Sequence, residues 1–185
     1  MKNFSKKQRV LILIGAVLIA AIVIIAVAAR VLGQTNRTPK NAAKSAFEAV
    51  YGCNYDLFTK STIYCEDCRT ELVLDVEGFL QNSVKPMFDE MRAELEESKS
   101  RYLVDSAKAV EFGAGSDGYA EGVRLLLADY PEANTEAIEK VAKVTIEFRW
   151  EYTVDGETVR GKDSDEFWCY RVKGKWYASP TSIDM

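Results

Sequence analysis

The hydrophobic pattern divides the chain into an apolar N-terminal segment and a longer region of mixed pattern. Residues 10–29, VLILIGAVLIAAIVIIAVAA, contain no charge and are apolar on every side of a helix. Twenty helical residues rise about 30 Å, which matches the hydrocarbon thickness of a bilayer. A cleavable signal peptide is the alternative, but its apolar core is usually about 7–15 residues long. We therefore predict a retained signal-anchor, a single transmembrane helix over residues 10–32.

The basic residues around this segment predict its orientation. Four of them lie in the tail of residues 1–9, whereas only Arg30 and Arg37 lie within nine residues after the apolar run. Cytoplasmic flanks are enriched in Lys and Arg. We therefore expect a cytoplasmic tail at residues 1–9, a bilayer partner for residues 10–29, and a single-pass protein of the cell membrane with its C-terminal domain extracytoplasmic.

The pattern beyond the anchor predicts helices first and strands later. Residues 33–40, GQTNRTPK, are small, polar and interrupted by proline, as in a linker, and residues 41–185 form the predicted domain. Apolar residues recur at helical spacing in four segments, which are residues 41–52, 70–84, 86–102 and 118–130. A proline at residue 86 is expected to begin the third of these helices.

Strict alternation is clearest in VTIEFRWEYTV, residues 144–154. Apolar residues occupy every second position there, which predicts a strand with one buried and one wet face. The Asp-Gly pair that follows predicts a hairpin turn, and EFWCYRV and KWYA supply further strands. With one more strand at residues 102–112, the order predicts an α+β fold with helices packed on one face of a bent antiparallel sheet.

This element order resembles the NTF2-like (cystatin-like) fold, which many bacterial membrane-anchored and secreted proteins carry. The resemblance covers residues 40–180 and includes VTIEFRWEYTVDGE and the closing YRVKGKWYAS. It implies a shape rather than an activity, because the acids and histidines used by the family's enzymes have no counterpart that we can place here.

Composition narrows the classes of partner and chemistry. Five of the 24 basic residues and none of the 28 acidic ones precede residue 33, so residues 33–185 carry a net charge of −9. Such a surface repels phosphate backbones, and we expect no nucleic-acid partner. The chain contains no histidine, which excludes Ser-His-Asp and Cys-His systems and every histidine metal site. We therefore expect no metal and no cofactor and favour a non-catalytic protein.

One glycine-rich segment formally matches a dinucleotide-binding pattern. GAGSDG, residues 113–118, fits G-x-G-x-x-G between a predicted strand and a predicted helix. The long alternating strand that follows is unlike the apolar parallel strands of a dinucleotide-binding sheet. We interpret the segment as a connection in which Ser116 or Asp117 caps the next helix.

The four cysteines are the remaining candidates for chemistry. In an oxidising compartment, an even set predicts structural disulfides among Cys53, Cys65, Cys68 and Cys169, with three complete pairings open. A zinc site built on Cys65-x-x-Cys68 and a thioredoxin-type redox pair are the alternatives.

Large aromatic residues are concentrated in the predicted meander. They fill the core or line a ligand pocket between sheet and helices, and the size of the domain favours the core. The residues concerned are Phe148, Trp150, Tyr152, Trp168, Tyr170, Trp176 and Tyr177.

Taken together, these patterns predict a membrane-anchored extracytoplasmic domain for binding or assembly. Its expected partners besides the bilayer are a protein or a small apolar ligand. A small extracytoplasmic enzyme or thiol oxidoreductase, and a scaffold subunit of a secretion or conjugation machine, are the alternative functions.

Overall fold

The computed structural model describes residues 36–154 and 157–180, which lie in the unit Thr35–Met185. The predicted cytoplasmic tail and anchor lie outside these residues, as does the predicted Asp-Gly turn. Among the described helices, none combines the length and apolarity that crossing a bilayer requires. Helices and a four-stranded antiparallel sheet make up the fold, so the α+β prediction is confirmed.

In the described part of the chain, the elements follow one another as six α-helices and four strands. The helices are α1 Pro39–Tyr51, α2 Tyr55–Ser61, α3 Glu66–Glu71, α4 Glu77–Phe79, α5 Lys85–Ser98 and α6 Asp117–Asp129, with a π-helical segment Leu80–Val84 between α4 and α5. The strands are β1 Arg101–Gly113, β2 Ile138–Val154, β3 Glu157–Val172 and β4 Lys175–Ala178.

Helix α1 begins and ends where local chemistry predicts. The Thr38 hydroxyl accepts the backbone N–H of Asn41 at 3.2 Å, and Pro39 occupies the first turn, where a missing N–H costs nothing. The helix ends before Gly52. Its buried side is rich in alanine, so its backbone approaches the sheet closely; the buried residues include Ala42, Ala43, Ala46 and Phe47.

The helix predicted over residues 70–84 is interrupted, and this part of the prediction is wrong. Helix α3 ends at Glu71, Val73 has a positive φ of 58°, and helical structure resumes at Glu77. Pro86 does not begin a separate helix either, because helical structure is continuous from Glu77 to Ser98. The π-helical segment lies just before Pro86, where an ideal α-helix would clash with the proline ring.

The sheet has the order β1-β2-β3-β4, and every pair is antiparallel. The predicted meander is therefore correct and β1 extends it, with α6 connecting β1 to β2. A β-bulge between Val104 and Ser106 interrupts the pairing of β1 with β2. The fourth strand is 4 residues long and covers the predicted KWYA.

Helices cover both faces of the sheet, which corrects the prediction of a single covered face. Val141 and Ala142 are successive residues of β2, so their side chains lie on opposite faces. Ala142 packs in one core cluster with α1, whereas Val141 packs in the other, against α6. A Cβ on Gly122 of α6 would lie 2.4 Å from Val141 Cγ1, so α6 approaches as closely as only glycine permits. The cause lies in β3, which alternates Phe167 and Cys169 with Trp168 and Tyr170 and so needs cover on both faces.

The two edges of the sheet differ. The edge at β4 is covered, because the Ile63 N–H donates to the Ala178 carbonyl at 2.9 Å and the Trp176 N–H donates to the Asn36 carbonyl at 2.8 Å. Across the described ranges, no strand or loop backbone pairs with the outer edge of β1. Among the described residues, strand β1 is therefore the unpaired edge of this sheet.

Candidate functional site

The sheet extends beyond the helix that covers it, and aromatic side chains lie at this open end. At the end of α1, the Phe47 and Tyr51 rings contact Phe148 with centroids 4.8 and 5.5 Å away. Farther along β2, Trp150 and Tyr152 are only half-buried, and their rings stack 5.3 Å apart at an angle of 18°. The covered and uncovered parts of this face therefore meet at Phe148.

Three strands contribute to the open end in one row. Tyr102 of β1 pairs with Trp150 of β2, and Trp150 pairs with Gly161 of β3, so all three lie on the same face. A Cβ on Gly161 would lie 2.2 Å from Trp150 Cζ2, which means that the indole lies directly over the glycine. Tyr102 keeps 37% of its surface exposed. The row forms an aromatic floor that we call the Trp150 platform, defined by Tyr102, Trp150, Tyr152 and Gly161.

A cleft adjoins the Trp150 platform. It has a volume of about 530 Å³ and lies between α1, the end of α5 and the start of β1. This volume is in the range of small-molecule sites, which are typically about 300–1,000 Å³ and mostly apolar with a few polar groups. Its apolar walls come from Phe47, Tyr51, Tyr102 and Leu95, and it is also lined by charged side chains of both signs, Lys44, Glu48 and Arg101. The chemistry of the cleft suits a small, largely apolar ligand.

The Tyr51 side chain is held at the boundary between core and platform. Its hydroxyl donates to Asp165 Oδ2 at 2.7 Å, and its ring packs against Tyr102 with centroids 4.5 Å apart. Burial, and then the hydrogen bond to Asp165, raise the pKa of Tyr51 far above its usual value. The Tyr51 hydroxyl therefore stays protonated and donates its hydrogen bond to Asp165.

The aromatic residues singled out in the sequence divide into two groups. Phe148, Tyr170, Trp176 and Tyr177 are buried and belong to the core, as the sequence favoured. Trp150 and Tyr152 lie at the open end, while Trp168 lies on the other face near Phe112, with ring centroids 6.2 Å apart.

Sequence reasoning missed Tyr51, Tyr102 and Phe47 as residues of this site. The helical spacing of apolar residues in α1 indicated that Phe47 faces the core, and the alternation in β1 gave a similar indication for Tyr102. Neither pattern specifies which strand lies beside which helix.

The cysteines do not form one cluster. All four are free thiols in the structure, so the predicted disulfides stay a prediction. The Cys169 thiol lies 3.6 Å from the Pro39 carbonyl at the start of α1, whereas Cys53 follows the end of α1. Thirteen helical residues separate the two, a rise of about 20 Å. A zinc site that uses all four thiols does not fit this arrangement, and residues 36–154 and 157–180 contain no group of three potential ligands.

Cys65 and Cys68 lie together at the start of α3. Cys65 precedes the first residue of the helix, and its carbonyl accepts the Cys68 N–H at 2.9 Å. Cys68 is fully buried, and burial, then the neighbouring Cys65 and Asp67, raise its pKa well above the usual value. An attacking redox thiol needs the opposite shift, so Cys68 is not suited to be the attacking sulfur of a thioredoxin-type pair. A second cleft of about 430 Å³ lies beside the half-buried Cys65, with Tyr64 and Arg69 in its wall.

The glycine-rich segment is a helix cap. The Ser116 hydroxyl accepts the N–H of Tyr119 at 3.3 Å at the start of α6, and Gly115 has a φ of 85° in the preceding turn. The interpretation as a connection with a capping Ser116 is confirmed.

Comparisons with known proteins add little to this geometry. No protein-family model matches the chain, and no curated protein is similar to it. Among solved structures, the crystal structure of the intermembrane space region of chloroplast protein ARC6 is 9% identical, with a TM-score of 0.28. The match covers 51% of this chain and 64% of that one, so the chain spans less than two thirds of its length. A similarity of this size assigns neither a fold nor a function.

Proposed function

We propose that this chain is a single-pass protein of the cell membrane that displays an NTF2-like binding domain on the extracytoplasmic side. The observation that carries the binding role is the Trp150 platform beside a cleft of about 530 Å³. The uncharged run at residues 10–29 and the acidic character of the rest support the location. The packing of α1 across one face of an antiparallel meander supports the NTF2-like assignment, and α6 on the other face is an addition to it.

The ligand that suits this site is small and largely apolar. Exposed aromatic rings contribute large contact areas, and stacking on Trp150 and Tyr152 adds a preference for flat or ring-bearing molecules. Lys44 and Arg101 lie at the cleft and can pair with an acidic group on such a ligand. We propose binding rather than catalysis because the chain has no histidine to activate a nucleophile.

The binding role can be tested on the full chain in lipid nanodiscs with fluorinated tryptophan. The chain has three tryptophans, so three fluorine resonances are expected, and Trp150→Phe assigns one of them. Indole is the probe. We expect the Trp150 resonance to move on titration with indole while that of the buried Trp176 stays constant. If neither Trp150 nor any other resonance responds at millimolar indole, the platform is not a binding site.

The location can be tested separately by protease treatment of intact cells. Loss of the domain in intact cells supports display outside the membrane. Survival of the domain in intact cells together with its loss in ruptured cells contradicts that location.

The exposed edge of β1 favours a second candidate function, assembly with further copies of the chain. Unpaired strand edges are templates for pairing, and natural proteins usually cover or shorten them. Strand β1 spans 13 residues and exposes Leu103 at 58% and Val110 at 59%. Crosslinking in the membrane should then yield discrete homo-oligomers that Val110→Lys removes, whereas Val159→Lys on β3 retains them. A monomer in both variants and in the parent excludes assembly through this edge.

A further inference from the structure

We infer that Cys65 and Cys68 form one disulfide with each other under oxidising conditions, while Cys53 and Cys169 remain thiols. The sequence alone predicts two disulfides among four cysteines and leaves their pairing open. The structure instead favours one disulfide and identifies its two cysteines. It rests on the proposed function only for the compartment in which the chain meets an oxidant.

Cys65 and Cys68 lie close together at the start of α3. Cys65 caps α3 and Cys68 is the third residue of the helix, so the two are separated by one turn. The Cys65 carbonyl accepts the N–H groups of Cys68 at 2.9 Å and Arg69 at 2.8 Å, which closes that turn. The Cys65 backbone is extended rather than helical, with φ −55° and ψ 135°, and its side chain makes no capping hydrogen bond to the first turn of α3. A disulfide needs Cα atoms about 4.4–6.8 Å apart and Cβ atoms about 3.5–4.5 Å apart, whereas residues one helical turn apart have Cβ atoms about 5–6 Å apart, so closure requires the Cβ atoms to approach by about 1–2 Å.

Cys169 lies out of reach of the other three sulfurs. It lies at the start of α1, while Cys53 lies beyond its end, about 20 Å away along the helix. Cys169 also faces α1, because it packs with Ala42 and Phe47 in that core cluster. Cys65 and Cys68 lie beside the Tyr177 hydroxyl, and Tyr177 pairs with Tyr170 on the opposite face of the sheet. The sheet itself therefore separates Cys169 from both.

Cys53 also lies far from Cys65 and Cys68. Its carbonyl accepts a 2.7 Å hydrogen bond from Arg92 of α5, and its thiol lies near Tyr102 of β1. Cys65 and Cys68 lie near Tyr177 of β4. Strands β1 and β4 are three spacings apart in the sheet, which amounts to about 14 Å. Cys53 is thus out of reach of every other sulfur.

The chemistry of closure follows from the different exposure of the two sulfurs. Cys65 is half-buried beside the cleft of about 430 Å³, and Cys68 is fully buried behind it. The Cys65 thiolate attacks one sulfur of a small-molecule disulfide, forming a mixed disulfide and releasing one thiol. The Cys68 thiolate then attacks the Cys65 sulfur and releases the second thiol. The protein loses two hydrogens and gains one S–S bond, and the small disulfide is reduced to two thiols.

Closure would reinforce a segment that covers the β4 edge. Helix α3 is joined to the β3–β4 turn by ion pairs from Lys175 to Asp67 at 2.9 Å and from Lys173 to Glu71 at 2.5 Å. Just before α3, Ile63 donates its N–H to the Ala178 carbonyl. A bond between Cys65 and Cys68 holds the first turn of α3 closed and so keeps this cover in place.

The test uses the folded full chain in nanodiscs, oxidised with glutathione disulfide, alkylated with N-ethylmaleimide and then cleaved with trypsin. The cysteines separate into three peptides, residues 45–60, 61–69 and 163–171, with Cys65 and Cys68 together in the second. We expect the peptide of residues 61–69 to lose two hydrogens and to take up no maleimide. The other two peptides should show thiols that react with maleimide once the chain is unfolded. A second maleimide-free pair, or a bridge that joins any two of these peptides, overturns the inference.

Two variants make the result independent of folding defects. In Cys68→Ser, Cys65 should be trapped as a stable mixed disulfide with glutathione, because the resolving sulfur is gone. In Cys53→Ser, residues 61–69 should still close as in the parent. If Cys68→Ser shows no mixed disulfide while the parent closes, the assigned order of attack is wrong.

A last measurement separates this inference from the proposed location. Thiols are trapped in intact cells before lysis, and the same three peptides are analysed. A closed Cys65–Cys68 pair in cells supports both proposals. Closure by glutathione disulfide in nanodiscs together with free thiols in cells contradicts the extracytoplasmic location and leaves the pairing supported.

Discussion

The Tyr51 hydroxyl donates a 2.7 Å hydrogen bond to the Asp165 carboxylate and so joins the last residue of α1 to β3, 114 positions later. Tyr51 lies where the covered part of the sheet meets the Trp150 platform. The bond therefore holds the end of α1 against the sheet and sets the boundary of the open aromatic surface.

Removal of this bond should loosen the end of α1. Tyr51→Phe keeps the ring but leaves the partly buried Asp165 without its donor, and we expect a loss of about 1–2 kcal/mol in the free energy of unfolding. Asp165→Asn should cost less, because the amide oxygen still accepts the hydroxyl. Denaturant unfolding of both variants and of the double variant measures the coupling. Equal stability of Tyr51→Phe and the parent would show that the bond contributes nothing.

The buried tyrosines predict a loss of stability at alkaline pH. Burial raises the pKa of Tyr51, Tyr64, Tyr170 and Tyr177 far above the usual value near 10. Above about pH 10 the unfolded chain loses phenolic protons that the folded chain keeps, so stability falls as pH rises through that point. We expect no such fall below pH 9 from these groups.

Absorbance at the tyrosinate band measures this effect directly. In the folded chain, a part of the nine tyrosines should ionise only when unfolding begins. The chain in denaturant is the control, where all of them should titrate near pH 10. Tyr64→Phe removes the bond between the Tyr64 and Tyr130 hydroxyls, which are 2.7 Å apart, and should shrink the late-ionising fraction. Titration of every tyrosine near pH 10 in the folded chain would contradict the burial of these groups.

Gly161 leaves room for the Trp150 indole, and this can be tested with one added methyl group. In Gly161→Ala the new Cβ would lie 2.2 Å from Trp150 Cζ2, so the ring must move away. We expect a loss of about 1–3 kcal/mol in stability, as for other overpacked sites, and a shifted Trp150 resonance. Gly113→Ala is the matched control, because a Cβ there meets nothing within 4 Å. If the two variants behave alike, the indole does not lie over Gly161 in solution.

The environment of Cys68 predicts how the rate of disulfide closure depends on pH. Burial, then Cys65 and Asp67, raise the pKa of Cys68, so little thiolate is present at neutral pH and resolution of the mixed disulfide is slow. The closure rate should rise steadily from pH 7 to pH 9. Asp67→Asn removes a negative charge and should speed closure, whereas Glu66→Gln should leave the rate nearly unchanged. Quenched-flow alkylation followed by peptide mass analysis gives these rates, and a rate that does not change with pH would exclude thiolate formation as the slow step.

Local patterns in the sequence predicted much of the fold. The alternation at residues 144–154 lies within β2, the spacing at residues 118–130 matches α6, and Ser116 caps that helix as expected. These features depend on neighbours two to four positions apart, which the sequence displays directly. The break between α3 and α4 escaped prediction because Leu72, Val76 and Leu80 recur every four residues, as in a helix, and all three are buried although the chain between Leu72 and Val76 is not helical.

By itself, the sequence determined the uncharged segment of residues 10–29, the absence of histidine and the α+β order of elements. It also determined that the strand containing residues 144–154 has one buried face. Only the tertiary structure decided which aromatic rings stay exposed, because that depends on where α1 stops relative to strands about a hundred residues later. It also decided which sulfurs can meet, since α1 and the sheet lie between Cys169 and the others. Periodicity along a chain reports which face a residue occupies, but the distance between two faces is set by packing between remote segments.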